Sequence, residues 1–224
     1  MDNTHKNITN FDNVKISTLE TPKPSFGLHI ILGPMFAGKS TYLINKATEL
    51  LDNSNSSRDD ILMINHTFDN RYSNESHIAT HDGIKMSSLS LTKLCELLSN
   101  DIVSCDDNIT YKAKLQKSKH IFIDEGQFFD DLYDIVIILL CKYKKNIYIG
   151  GLDGDYKQKQ FSNSHLFDLI PFANTIHKLN AKCYICNEPA QCTKRLNTET
   201  TNVVQIIVGG SNMYQPVCLN HLDV

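Results

Sequence analysis

Eight residues constrain this chain more than any others. Gly33, Pro34, Met35, Phe36, Ala37, Gly38, Lys39 and Ser40 satisfy G-x-x-x-x-G-K-[ST] at each specified position. The apolar run Leu28 to Leu32 before them suits a buried strand, and Leu43, Ile44, Ala47, Leu50 and Leu51 after them recur at helical spacing. A strand that turns through glycines into a helix aims successive backbone N–H groups, and the positive end of the helix dipole, at one anion. Lys39 then reaches the outer phosphates of ATP, and the Ser40 hydroxyl ligates Mg²⁺.

The rest of the chain is read around that loop. Residues 1–25, rich in Asn and Thr and ending in Pro22 and Pro24, read as a disordered tail. The polar stretch 52–60 closes the first helix as a loop, and Ile61 to Ile64 is a second strand. Leu89 to Leu98 reads as a helix, followed by a polar insertion at 100–108. Ile121 to Ile123 is a strand, Asp131 to Lys142 a helix, and Ile147 to Ile149 a strand ending at Gly150-Gly151. Strands alternating with helices predict an α/β fold with a parallel sheet over 26–179. After Leu179 no long helix is legible, and 180–224 reads as a small separate lobe with a β-type segment at Val203 to Val208.

Asp124 and Glu125 leave the strand at Ile123, where carboxylates face the ligand crevice of a parallel sheet. An Asp here holds Mg²⁺, and Glu125, expected to point the other way along the pleat, is the candidate general base. Such a Glu activates water in an ATPase or a substrate hydroxyl in a kinase, and the pair alone does not separate the two. Phe128 and Phe129, just after Gly126-Gln127, could wall a pocket for a planar ring, or belong to the core.

The 224 residues carry a formal charge of −3 and seven cysteines. That balance argues against nucleic acid as the main partner. The N-terminus lacks an apolar signal region and no apolar run spans a bilayer, so a cytoplasmic protein without membrane association is expected. In a reducing compartment the cysteines suit metal better than disulfides. Cys183-x-x-Cys186 and Cys218-x-x-His221 offer four ligands for a structural Zn²⁺, with Cys192 a rival fourth ligand and a β-hairpin expected between the pairs.

The strings GPMFAGKST, IDEGQFF, LDGDY with Phe161 beyond it, TKR at Thr193 to Arg195, and VGGSNMYQPVC together resemble the type II, zinc-containing thymidine kinases over roughly residues 27–222. The resemblance implies a P-loop α/β domain, a zinc lobe, usually a homotetramer, and transfer of the ATP γ-phosphoryl group to the 5′-hydroxyl of thymidine or deoxyuridine. It makes Glu125 the base, Ser40 and Asp124 the Mg²⁺ partners, and Lys39 the phosphate clamp. Asp69, Asn70 and Arg71 resemble the family's DTR segment near the nucleotide, with Asn70 in place of Thr, and Gly126 and Gln127 complete the ATP-contacting set. The nucleoside pocket it implies comprises Met35, Phe128, Leu152, Tyr156, Phe161, Thr193 and Tyr214, with Gln205, Ile206, Ile207, Val208 and Gly209 resembling the base-binding strand. Tyr156 stands where many members have Phe. A zinc-bearing P-loop ATPase acting on nucleic acid would use the same loop and acidic pair, and is the alternative.

Overall fold

The computed structural model describes residues 25–53, 57–68, 77–79, 85–103, 109–161, 163–196 and 209–222. Strand β1 (Gly27–Gly33) leads through the glycine loop into helix α1 (Lys39–Asn53), as the motif requires. Strand β2 (Ile61–His66) follows, then the short strands β3 (His77–Ala79), β4 (Lys85–Ser87) and β5 (Leu89–Leu91). Helix α2 (Tyr111–Lys117) precedes β6 (His120–Ile123), and α3 (Leu132–Cys141) precedes β7 (Asn146–Leu152). Strand β8 (Thr175–Lys178) closes the sheet, whose order is β5-β2-β6-β7-β1-β8 with every neighbour parallel.

The two faces of this sheet are buried by different means. On one, Leu43, Ile44 and Ala47 of α1 pack on Ile31, Met63, Phe122 and Tyr148, with Ile78 in the same cluster. On the other, Leu132, Ile135, Val136, Leu139 and Leu140 of α3 join Ile30, Leu32, Ile121, Ile123 and Ile149. A ten-residue helix is marginal alone in water, and each buried Leu or Ile contributes about 1.5–3 kcal/mol, so α3 is held by its core face.

The expected helix over Leu89–Leu98 is not there. Leu89–Leu91 forms β5 against Ile64–His66, and only Leu94–Leu98 turns, as a 3₁₀ segment. The cause is in the hydrogen bonds: Asp131 accepts from the N–H groups of Leu94 and Cys95 at 3.0 and 2.8 Å, while Glu96 accepts from those of Thr92 and Lys93. Both carboxylates cap a turn that starts at residue 94, and the Leu-Ser-Leu alternation before it suits a strand. The polar stretch read as a loop at 52–60 also contains structure, since α1 runs to Asn53 and a 3₁₀ turn covers Arg58–Asp60.

Beyond β8 the chain forms two small antiparallel pairs. Strands β9 (Ala181–Lys182) and β10 (Pro189–Ala190) pair, as do β11 (Cys192–Arg195) and β12 (Tyr214–Val217). The second pair supplies the antiparallel element expected between the Cys/His pairs. Among the described residues no helix is long and apolar enough to cross a membrane. Residues 1–24 and 203–208, and most of the polar insertion at 104–108, lie outside the described residues.

Candidate active site

The glycine loop is shaped by close contacts at both ends. A Cβ on Gly33 would stand 2.8 Å from the Leu179 carbonyl oxygen, so no other residue fits where β1 ends. Gly38 takes φ 83, the left-handed conformation that glycine adopts at no steric cost. Phe36 reaches φ 65 without that freedom. Lys39 is buried at the start of α1, and its Nζ donates to the Pro34 carbonyl at 2.8 Å, inside the curve of the loop. Ser40 follows one residue later on the same first turn.

Asp124 leaves β6 two strands away, with β7 between it and β1, a lateral distance of roughly 10 Å at the usual strand spacing. Its carboxyl is buried and accepts the Glu125 N–H at 3.0 Å. Gly150 of β7 makes room for it, since a Cβ there would stand 3.1 Å from Asp124 Oδ1. The expectation that Glu125 diverges from Asp124 along the pleat is not met. The strand ends at Ile123, and Glu125 turns away at φ 52, in the left-handed region. Gln127, buried behind it, donates from Nε2 to Glu125 Oε2 at 2.5 Å and accepts the Leu152 N–H at 2.9 Å.

Two aromatics after the acidic pair separate in role. Phe129 is fully buried in the core, whereas Phe128 is half-buried and meets Phe161 and Phe68 edge-on at 6.1 and 6.0 Å. His66 lies under this group, 4.7 Å from the rings of both Phe68 and Phe129. Its Nδ1 accepts the Phe68 N–H, and burial pushes its pKa down, so the ring is held neutral.

The remaining pocket residues are joined through β11. Thr193 Oγ1 accepts the Met35 N–H of the glycine loop at 2.9 Å, and the Thr193 carbonyl accepts from Gln158 Nε2 at 3.0 Å. Arg195 stacks 3.8 Å over the Tyr156 ring, and its Nη2 donates to the Tyr214 hydroxyl at 2.8 Å. The structure therefore brings together Phe128 with Phe161, Met35 with Thr193, Tyr156 with Tyr214 through Arg195, and Leu152 with Gln127. Gly209 is half-buried against Met213. Asp69, Asn70, Arg71, Gln205, Ile206, Ile207 and Val208 lie outside the described residues. Sequence reasoning does not single out Arg195, Phe68 and His66, which touch the expected pocket residues Tyr156, Tyr214 and Phe128; Arg195 carries a signal in the TKR string, and the other two carry none.

Below the glycine loop, Cys183, Cys186, Cys218 and His221 bring their ligand atoms within 4.8 Å of one another. Bonds of about 2.3 Å to sulfur and 2.0–2.1 Å to nitrogen in a tetrahedron place sulfurs about 3.8 Å apart and S–N pairs about 3.6 Å apart. Here Cys186 and Cys218 are separated by 3.7 Å, Cys183 and His221 by 3.6 Å, and Cys218 and His221 by 3.3 Å. Burial pushes the Cys183 thiol up, but backbone N–H groups of Cys218, Cys186 and Ile185 outweigh it and bring it down to about 5. A thiolate at that vertex, with these spacings, fits Zn²⁺ and leaves Cys192 outside the cluster.

A family model described as thymidine kinase matches residues 26–222. A rice thymidine kinase is 37% identical over 194 residues, which are 87% of this chain and 65% of that protein. Thymidine kinase a of Arabidopsis thaliana is 34% identical over 206 residues, 92% of this chain and 78% of its own length. The thymidine kinase of myxoma virus (strain Uriarra) is 35% identical over 195 residues, 85% of this chain and 93% of its own. Because the matched span runs unbroken from the first strand of the sheet through the last residue of the four-ligand cluster, the chain belongs to the thymidine kinase family.

Proposed function

We propose that the chain transfers the γ-phosphoryl group of Mg-ATP to the 5′-hydroxyl of thymidine or deoxyuridine, with Glu125 accepting the hydroxyl proton. Phosphorylation of thymidine for nucleotide salvage comes with membership of the family; the residue roles, metal ions and base selectivity extend it. A bond forms between O5′ and Pγ while the bond from Pγ to the β,γ-bridging oxygen breaks, and ADP leaves. Backbone N–H groups at the helix end of the glycine loop cradle the phosphates, and Lys39 supplies positive charge to the transferring group. Ser40 and Asp124 would hold Mg²⁺, which would supply charge to neutralise the phosphates. Asp69, Asn70, Arg71 and Gly126 complete the nucleotide contacts; Gln127, expected among them, has both ends of its amide engaged by Glu125 and Leu152.

The observation that carries this reading over an ATPase is where Glu125 sits. Three residues on, Phe128 donates its N–H to the Glu125 carbonyl, and its ring packs edge-on against Phe161 and Phe68. Aromatic walls beside the base suit a planar nucleoside ring. Phe128, Leu152, Tyr156, Phe161, Thr193, Tyr214 and Met35 form the pocket, and the backbone of residues 205–209 reads the pyrimidine edge. Cys183, Cys186, Cys218 and His221 would hold Zn²⁺ with four protein ligands, which would stabilise the lobe over 180–224 beside the kinase body over 26–179. A homotetramer in the cytoplasm belongs to the same reading, resting on the family resemblance.

The test is a panel of deoxynucleosides with Mg-ATP and purified protein, the products separated by charge. Backbone donors and acceptors cannot swap places, whereas cytosine inverts the pattern at positions 3 and 4, so buried groups would be left unpaired. Thymidine and deoxyuridine are expected to be phosphorylated and deoxycytidine to be a very poor substrate. Comparable rates for all three would overturn the backbone readout.

A further inference from the structure

Gln127 is 3% exposed, and both ends of its amide are engaged. The orientation of that amide follows from chemistry. The Leu152 N–H can only donate, so the atom 2.9 Å from it must be Oε1. The amide nitrogen is thereby directed at Glu125 Oε2, at 2.5 Å. Gly151 leaves the space for this arrangement, because a Cβ there would lie 3.3 Å from Gln127 Oε1. One side chain thus joins the carboxylate at the end of β6 to the backbone at the end of β7, where Leu152 borders the pocket.

We propose that Gln127 is a positioning residue for phosphoryl transfer, fixing the Glu125 carboxylate in register with the nucleoside pocket. The inference rests on the reading of Glu125 as the base. A neutral donor suits this role because it orients the carboxylate without the charge of an ion pair, which would weaken it as a proton acceptor. A purely structural glutamine would need only its bond to Leu152, and here the donor end is committed to Glu125.

The experiment is a double-substitution cycle on the full-length, zinc-loaded protein, with kcat and KM measured for thymidine and for ATP. Gln127→Met keeps the length and removes both hydrogen bonds. It is expected to lower kcat about tenfold to a hundredfold while either KM moves less than about threefold. In a Glu125→Gln background the same change should cost less than about twofold, because no base remains to be oriented. An equal loss in both backgrounds, or a raised KM with kcat unchanged, overturns the proposal. Gln127→Glu serves if the Met variant does not fold, since it retains an acceptor for the Leu152 N–H and replaces the donor with a second carboxylate. Its kcat must also fall, and a wild-type value overturns the proposal. If Glu125→Gln alone kept normal turnover, the base assignment and the positioning role would fall together. A dead Glu125→Gln enzyme beside a Gln127→Met enzyme of normal kcat overturns the positioning role alone.

Discussion

Glu125 occupies a backbone conformation that an L residue with a long side chain rarely takes, at φ 52. Such a conformation costs of order 1–3 kcal/mol and persists where surrounding structure enforces it. Glu125→Gly should therefore hold or raise the thermal midpoint of unfolding while kcat falls at least about a hundredfold, since strain leaves together with the base. A variant that lost both stability and activity would show that the conformation is not strained. Glu125→Gln and Lys39→Ala are both expected to abolish most turnover, for different reasons. The first keeps ATP binding and slows proton removal, whereas the second removes a charge facing the phosphates and weakens nucleotide affinity as well. Calorimetric titration with ATP separates them, and equal ATP affinity in the two variants would contradict the role given to Lys39.

At the scale of elements, the Cys/His cluster joins the loop after β9 to the 3₁₀ turn after β12, two stretches that bury little apolar surface of their own. One Zn²⁺ per chain is expected by elemental analysis, surviving dialysis, and Cys183→Ser or His221→Ala should give unfolded or insoluble protein. Full metal retention in His221→Ala would move the fourth ligand elsewhere. This cluster is legible in the sequence because each ligand pair is local, with two residues between its members on one turn. The strand, glycine loop and helix at 27–53 are legible for the same reason, since periodicity and motif agree over a short span. Leu89–Leu98 is not. Its turn is capped by Asp131 from a distant part of the chain, and its first residues pair with β2, so neither cause is visible within ten residues. The edge strand β8 escapes sequence reading likewise, because its four residues are all exposed and carry no apolar run. In the pocket, the stack of Arg195 on Tyr156 depends on a fold contact between segments that no local pattern links.

Across the whole molecule, the glycine loop rests on the small C-terminal core rather than on the sheet alone. Phe36 and Ala37 pack against the cluster of Ala181, Cys183, Ala190, Cys192, Val217 and Cys218, which contains two of the metal ligands. The Met35 N–H is held by Thr193, and Gly33 abuts the Leu179 carbonyl. Whatever loosens that core therefore loosens the curve that receives phosphate. Zinc and nucleotide, though they share no ligand, are therefore expected to be thermodynamically linked, and such linkage is reciprocal: the factor by which metal tightens nucleotide binding is the factor by which nucleotide tightens metal binding. Saturating nucleotide should slow the release of zinc to a chelator, read with a colorimetric zinc indicator. Thr193→Val, which removes the acceptor for Met35 without touching a metal ligand, should reduce that protection. Equal release rates with and without nucleotide would mean that the two sites are merely neighbours.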